Sequence, residues 1–170
     1  MAETEWWQRG PVTGVPDVLQ PVAHILLQIR ESVTEMVPGL TEAQWNARPA
    51  GVASAAFHVR HIAGVVDRLF AYARGDALTD LQRAALARER APTIVLENVP
   101  AMLAELDATM ESAVAELTTI DRTTLGAWRG VGRAQLPSTV IGCLVHGAEH
   151  GMRHVGQLSV TVRVVKGSDG

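Results

Sequence analysis

The sequence has little of several features that mark particular classes of protein. It contains one cysteine, which excludes an internal disulfide framework and favours a reducing compartment. Its net charge of −3 gives no basis for nucleic-acid binding, which usually requires a basic surface. No apolar run approaches the ~20 residues of a membrane span, and the first residues show no signal-peptide pattern. These absences predict a cytoplasmic protein that binds neither nucleic acid nor membrane.

What the sequence does contain is enough apolar residues for a globular core. Hydrophobic residues make up 47% of the chain and charged residues 19%, which is typical of a folded protein. A chain of 170 residues can bury a substantial core without disulfides or structural metals. Residues 1–170 are therefore predicted to form a single domain.

Apolar residues at helical spacing, bounded by caps, prolines and glycines, predict the secondary structure. An irregular arm is predicted over residues 1–16, and its Trp6-Trp7 pair is expected to dock on the body. A short helix is predicted over 79–90, whereas strand signals are weak and residues 118–137 are interpreted as a long connection. The four long helices are predicted over residues 17–37, 54–73, 99–117 and 138–165. The predicted fold is all-α: an up-down four-helix bundle with a short extra helix and an irregular N-terminal arm.

Three of the six histidines lie at intervals of four in the last predicted helix, within LVHGAEHGMRHVGQL (144–158). On a helical wheel they belong to a polar stripe without Lys, Glu or Arg, more than a quarter turn from the apolar stripe. We interpret this polar stripe as the wall of a cleft, and place Glu149 and Arg153 on the solvated side. The polar stripe contains Cys143, His146, His150, His154, Gln157 and Thr161. The apolar stripe, predicted to face the core, contains Ile141, Leu144, Val145, Ala148, Met152, Val155, Leu158 and Val162.

Four glycines interrupt the same helix, and each costs ~0.8–1 kcal/mol relative to alanine in a helix interior. Such a cost is tolerated where a neighbouring backbone or a ligand comes close. Tight packing alone explains glycines, but glycines and histidines together favour a site. These glycines are Gly142, Gly147, Gly151 and Gly156.

Histidines four apart on a helix can share one metal ion, because their Cβ atoms lie ~5–6 Å apart. All three cannot do so, since His146 and His154 are separated by about 12 Å along the axis. Either His146/His150 or His150/His154 is therefore expected to form a pair that needs a third ligand. The second helix offers His58 and His61, and the wheel favours His61 because His58 points nearer the core.

Each single histidine is more often a surface or core residue than a ligand, and Cys143 is interpreted as a small buried residue. Other metal sites of helical proteins are disfavoured by the spacing of their motifs. The HExxH pattern of metalloproteases, the Glu-x-x-His repeats of di-iron bundles and the CxxCH of c-type haem proteins are all missing.

Two motifs, HxxHIAG in the second helix and EHxxxHxGQL in the last, resemble the DinB-like superfamily (DinB/YfiT-type) of metal-binding four-helix bundles. The resemblance extends over nearly the whole chain, through WWQRGPVTGV, FHVRHIAGVVDRLFAYARG and VGRAQLPSTV. It implies one divalent metal ion, with zinc or nickel expected from the imidazole ligands. The implied ligands are His61, His150 and His154. The residues expected to line the pocket or to support the ligands are His58, Arg68, Tyr72, His146 and Gln157.

The resemblance also implies a class of function. Some relatives are metal-dependent S-transferases that use small bacterial thiols. The leading hypothesis is therefore a thiol S-transferase that acts on a small molecule, with a low-molecular-weight thiol as cosubstrate. A metal-dependent hydrolase and a non-catalytic, stress-associated metal-binding bundle are the alternatives. The mycothiol-dependent isomerases place a glutamate where this chain has His150, so isomerase activity is not expected. A homodimer is expected from the apolar content and from the resemblance.

Overall fold

The computed structural model describes residues 4–89 and 93–167. The predicted ends of the arm (1–3) and of the short helix (Arg90), together with 91–92 and 168–170, lie outside the described residues. The α-helices are α1 (Gln20–Met36), α2 (Glu42–Asn46), α3 (Ala55–Arg74), α4 (Asp80–Glu89), α5 (Val99–Leu117) and α6 (Val140–Gly167). Two short strands, β1 (Trp128–Val131) and β2 (Leu136–Thr139), form an antiparallel hairpin.

Local sequence accounts for the ends of the long helices. Ser54 accepts a hydrogen bond from the backbone N–H of Phe57 and begins α3, and Gly75 ends it in the left-handed conformation with φ 87°. Pro21 and Pro100 lie in the first turns of α1 and α5, where a missing backbone N–H costs nothing. The four long helices and the short helix of the prediction are confirmed.

The four long helices form a closed bundle around one hydrophobic core. Helix α6 packs against α3 and α1, and α5 packs against the same two helices. The apolar side chains of all four helices therefore meet in the centre, where Leu26, Ile29, Ile62, Leu106 and Leu158 are fully buried. The all-α bundle predicted from the sequence is confirmed.

The direction of the helices differs from simple up-down alternation. Helices α1 and α6 run parallel, as two contacts show. Ile29 lies against Gly151, and further along both helices Lys166 donates a hydrogen bond to the carbonyl of Met36. Helix α3 runs antiparallel to α6, and parallel to α5, since the ends of α3 and α5 meet in the Arg74–Glu116 ion pair. The chain thus runs up, down, down and up. Between two parallel helices it must return along the bundle, and α4 makes that return beside α3.

Several local predictions are corrected by the structure. The hairpin β1–β2 interrupts residues 118–137, which were predicted as a long connection, and the five-residue α2 lies between the first two predicted helices. Thr139, rather than Ser138, accepts the hydrogen bond from Gly142 at the start of α6. Trp6 docks on α1, where its indole N–H donates to Glu31, whereas Trp7 is 64% exposed.

The wheel of the last helix is wrong at two positions. Val145, expected to face the core, is exposed. Thr161, expected to line the cleft, is buried, because α6 is covered by α3 as well as by α1. Cys143 is buried, as predicted. Two of the glycines serve this packing: a Cβ at Gly147 would lie 3.4 Å from Leu69, and one at Gly151 would lie 2.8 Å from Ile29.

Candidate metal centre

Three histidines from two helices converge at the interface of α3 and α6. One ring nitrogen from each of His61, His150 and His154 lies within 4.8 Å of the others, and all three side chains are half-buried. The antiparallel crossing of α3 and α6 places one turn of each helix side by side, so residues 89 and more positions apart become neighbours. Among the residues that the structure describes, this is the group of histidine, cysteine and carboxylate side chains arranged to hold a metal ion.

The ring of His61 is fixed on three sides. Its Nδ1 lies 2.8 Å from Glu89 Oε2, and its Nε2 lies 3.0 Å from His150 Nε2. Phe57 stacks on the imidazole face, with ring centroids 5.3 Å apart and planes 9° from parallel. Because the carboxylate can only accept, Nδ1 carries the proton and the lone pair of Nε2 is directed toward His150.

The ring of His154 is fixed by His58, one turn before His61 on the same helix. The two Nδ1 atoms lie 3.0 Å apart, and the His58 side chain is almost completely buried. One of these Nδ1 atoms donates to the other, so the Nε2 of His154 is the nitrogen turned toward the triad. His58 therefore contacts a candidate ligand through a hydrogen bond.

His150 completes the triad and differs from the other two histidines in its surroundings. Its Nδ1 is buried and has no hydrogen-bond partner within the described part of the chain. His146 lies one turn earlier, with ring centroids 5.3 Å from His150, but it is exposed and lies beside Glu149. The structure thus places His150 with His154 and leaves His146 outside the cluster.

The remaining predicted pocket residues lie farther from the triad. Arg68 is buried and forms a two-pronged ion pair with Glu89, its Nη2 lying 3.3 Å from Oε2, so that it reaches His61 only through that carboxylate. Tyr72 is half-buried and packs against the core one turn further along α3. Gln157 is exposed, three residues beyond His154 on α6.

The electrostatics of the cluster favour the neutral form of His58, His150 and His154. Burial, and then the neighbouring His61, lower the pKa of His58 to about 4. Burial, followed by the charges of His61, His58 and the other neighbours, lowers the pKa of His154 to about 4. Burial, followed by the charges of His61, His146 and Arg153, lowers the pKa of His150. Neutral imidazole is the form that binds metal, so these shifts preserve the ligand capacity of His150 and His154 below neutral pH.

The residues present fit a divalent ion. Two imidazole nitrogens bound to one tetrahedral ion would lie about 3.3 Å apart at metal–nitrogen distances of ~2.0–2.1 Å. The Nε2 atoms of His61 and His150 face each other at 3.0 Å, which is close to that separation. Three such nitrogens leave room for a further ligand from solvent.

The family is decided by a match that includes all three histidines. A family model described as the DinB superfamily matches residues 25–158. The chain belongs to the DinB superfamily. A solved member of the same fold is a conserved protein from Enterococcus faecalis, whose crystal structure matches with a TM-score of 0.74. The alignment covers 89% of this DinB-superfamily chain and 99% of the other chain at 20% identity, which shows the fold alone. No curated protein matches the sequence.

Sequence reasoning missed Glu89, the buried residue of α4, whose other residues are exposed or half-buried. It lies 28 positions from His61, and nothing in the pattern of α4 marks it as an inward-pointing residue. The available signal was Gly64, a glycine in the middle of α3. A Cβ at Gly64 would overlap the Glu89 carboxylate and lie 2.6 Å from the Arg68 guanidinium.

Proposed function

We propose that this DinB-superfamily protein is a metal-dependent enzyme, a thiol S-transferase acting on a small molecule, in which His61, His150 and His154 hold one divalent ion. The convergence of three imidazoles carries this proposal. Within the described ranges no fourth histidine, cysteine or carboxylate joins the group. Structural zinc sites generally have four protein ligands, whereas three ligands with an open position are typical of catalytic sites.

Zinc or nickel is the proposed ion, because imidazole suits both. An ion held by three neutral ligands keeps its full positive charge, which lowers the pKa of a bound water or thiol. The half-buried positions of the three rings leave the site accessible to a small molecule.

The proposed reaction forms a bond between the sulfur of a low-molecular-weight thiol and an electrophilic carbon of the second substrate. The bond from that carbon to its leaving group breaks, and the leaving group departs with the bonding electrons. The thiol proton passes to solvent. The chain's own contribution is orientation: Glu89 and His58 fix the rings of His61 and His154, and Phe57 closes one face of His61.

Metal analysis of the purified protein, followed by a conjugation screen, tests the proposal. The screen pairs glutathione, mycothiol and other small bacterial thiols with a chromogenic aryl halide, and a parallel screen uses nitrophenyl esters. Thiol consumption that depends on metal and is lost in His150→Ala supports the S-transferase. Ester cleavage alone would support the hydrolase instead, and stoichiometric metal without either activity would support a non-catalytic metal-binding bundle.

A homodimer is proposed as the assembled form. Three apolar side chains on the outer side of α6, Val145, Val160 and Val164, are each 44% exposed or more. Apolar residues aligned on one helix of a small bundle favour a second copy that covers them. No helix in the described ranges is long and apolar enough to cross a membrane.

A further inference from the structure

We propose that Glu89 is a positioning residue for the metal-binding ring of His61, acting through the His61 Nδ1–H rather than as a ligand itself. The inference rests on the proposed metal site. Glu89 is the last residue of α4, and its side chain is 5% exposed. Its Oε2 accepts the hydrogen bond from His61 Nδ1 at 2.8 Å, on the side of the ring opposite Nε2.

The hydrogen bond to Glu89 determines two properties of the His61 ring. A neutral imidazole has one N–H, and the carboxylate holds that proton on Nδ1. Nε2 is then free to coordinate, and rotation of the ring about its Cβ–Cγ bond would break the bond to Glu89. Carboxylate partners of this kind also make the imidazole a stronger donor, and removing them commonly costs 10–100-fold in metal affinity.

Arg68 makes a buried carboxylate tolerable in this position. Its guanidinium bonds both oxygens of Glu89, and it is itself 8% exposed. Burial alone would raise the pKa of Glu89, but the hydrogen bonds from His61 and Arg68 and the guanidinium charge outweigh it and lower the pKa. Glu89 therefore stays ionised and acts as an acceptor toward His61.

Gly64 gives the carboxylate its path to His61. Any side chain at position 64 would begin with a Cβ that overlaps Glu89 Oε1. Glycine in a helix interior costs roughly 0.8–1 kcal/mol relative to alanine, so its presence in the middle of α3 matches a requirement for close approach. Gly64 thus leaves room for Glu89, which contacts Arg68 through one ion pair and His61 through one hydrogen bond.

A purely structural role for Glu89, as the contact that holds α4 to the bundle, is the competing interpretation. The two roles differ in what they do to a bound metal. A structural contact changes the free energy of unfolding and leaves the ligand field of a bound ion unchanged. A positioning residue changes the ligand field and the affinity even when the protein remains folded.

The experiment uses the full chain loaded with Co²⁺, whose visible d–d bands report ligand geometry. For Glu89→Gln we expect 10–100-fold weaker Co²⁺ binding in a chelator competition and altered d–d bands at saturation. The matched control is Glu116→Gln on α5. It removes another carboxylate paired with a guanidinium, since Glu116 Oε2 lies 2.7 Å from Arg74 Nη1 of α3, away from the triad. The control should bind Co²⁺ as the wild type does, with the same spectrum.

Glu89→Gln leaves the Arg68 charge buried and unpaired, so this variant could fail to fold. Two further variants test the positioning role in that case. The double variant Glu89→Gln/Arg68→Gln removes both charges, and Gly64→Ala displaces the carboxylate without removing any polar group. Both should show the weaker binding and the altered bands. Wild-type affinity and spectrum in these folded variants would overturn the positioning role while leaving the metal site intact. Failure of the wild-type protein to bind Co²⁺ would instead overturn the proposed function.

Discussion

His58 and His154 face each other through their Nδ1 atoms, 3.0 Å apart, across the interface of α3 and α6. A donor and an acceptor are needed at that distance, so the protons of the two rings are coupled. If His154 coordinates a metal through Nε2, its proton lies on Nδ1 and is donated to His58, whose own proton then lies on Nε2. The tautomer of a buried histidine thus depends on whether the neighbouring ring is a ligand.

Replacing His58 by leucine tests this relationship. His58→Leu introduces an apolar side chain of similar size and removes the acceptor for His154. We therefore expect metal affinity to fall by about tenfold or more while the three ligands remain. Chelator competition measures the effect, with His146→Leu as the control outside the cluster. Equal affinities in wild type and His58→Leu would show that the hydrogen bond does not support the ligand.

The metal-free protein should lose stability in mild acid. The pKa of His58 and of His154 is about 4 in the folded protein, below the ordinary histidine pKa of 6.5 that applies to the unfolded chain. Between these values the unfolded state binds more protons, so stability is present above pH 6.5 and is lost as the pH falls toward 4. His58, which is almost completely buried, contributes a loss of about 2 kcal/mol between pH 7 and pH 5.

Urea denaturation with a chelator present, at pH 7 and at pH 5, measures this loss. His58→Leu cannot gain a proton at position 58, so its stability should fall less over the same interval. Parallel losses in wild type and variant would contradict the assignment of the pH dependence to this pair.

The triad assignment distinguishes two histidines that the sequence presents alike. His150→Ala removes the ligand between His61 and His154 and should abolish stoichiometric metal, whereas His146→Ala should retain it. Metal analysis after gel filtration measures both. The wild-type protein should release its metal only below the ordinary imidazole pKa of ~6.5, because burial lowers the pKa of His150 and of His154. Full occupancy in His150→Ala with loss in His146→Ala would reverse the assignment.

The helices could be predicted from the sequence because their determinants are local. Ser54 and Gly75 bound α3 by hydrogen bonds and backbone conformation within a few residues. The hairpin was missed because β1 and β2 are four residues each, and Gly130 and Pro137 pair within them against their intrinsic preference. The direction of α5 was also missed, because connection length does not specify whether a chain returns along a bundle before the next helix.

Part of the candidate site could likewise be predicted from the sequence, and part of it could not. Histidine spacing on α6 and the wheel of α3 were enough to nominate His61 and to place a pair on α6, while the choice between the two pairs came from the family resemblance. Glu89 could not be found, since its contact with His61 depends on how α4 lies over α3. The wheel also misjudged Thr161, because a single helix does not reveal how many neighbours cover it.

The proposed homodimer depends on the outer side of α6. Val160 is 61% exposed, so a charge there would be solvated in a monomer but buried in a dimer through this surface. Val160→Lys should therefore give a monomer with an unchanged helical circular dichroism spectrum. Sedimentation at micromolar concentration measures the association. The control is Leu81→Lys, at an exposed position of α4. A wild-type monomer, or a dimer in Val160→Lys, would contradict this interface.

Two glycines of α6 should respond to alanine in opposite directions. Alanine at Gly151 would place a methyl 2.8 Å from Ile29 Cδ1, so the fully buried Ile29 side chain would have to shift within the core. Overpacking costs ~1–3 kcal/mol, which exceeds the ~0.8–1 kcal/mol that alanine contributes to the helix. Alanine at Gly156 meets no heavy atom within 4 Å, so only the helical gain remains. Urea denaturation should show Gly151→Ala less stable and Gly156→Ala more stable than wild type; stabilisation by both would mean that the α1–α6 contact is looser than its geometry indicates.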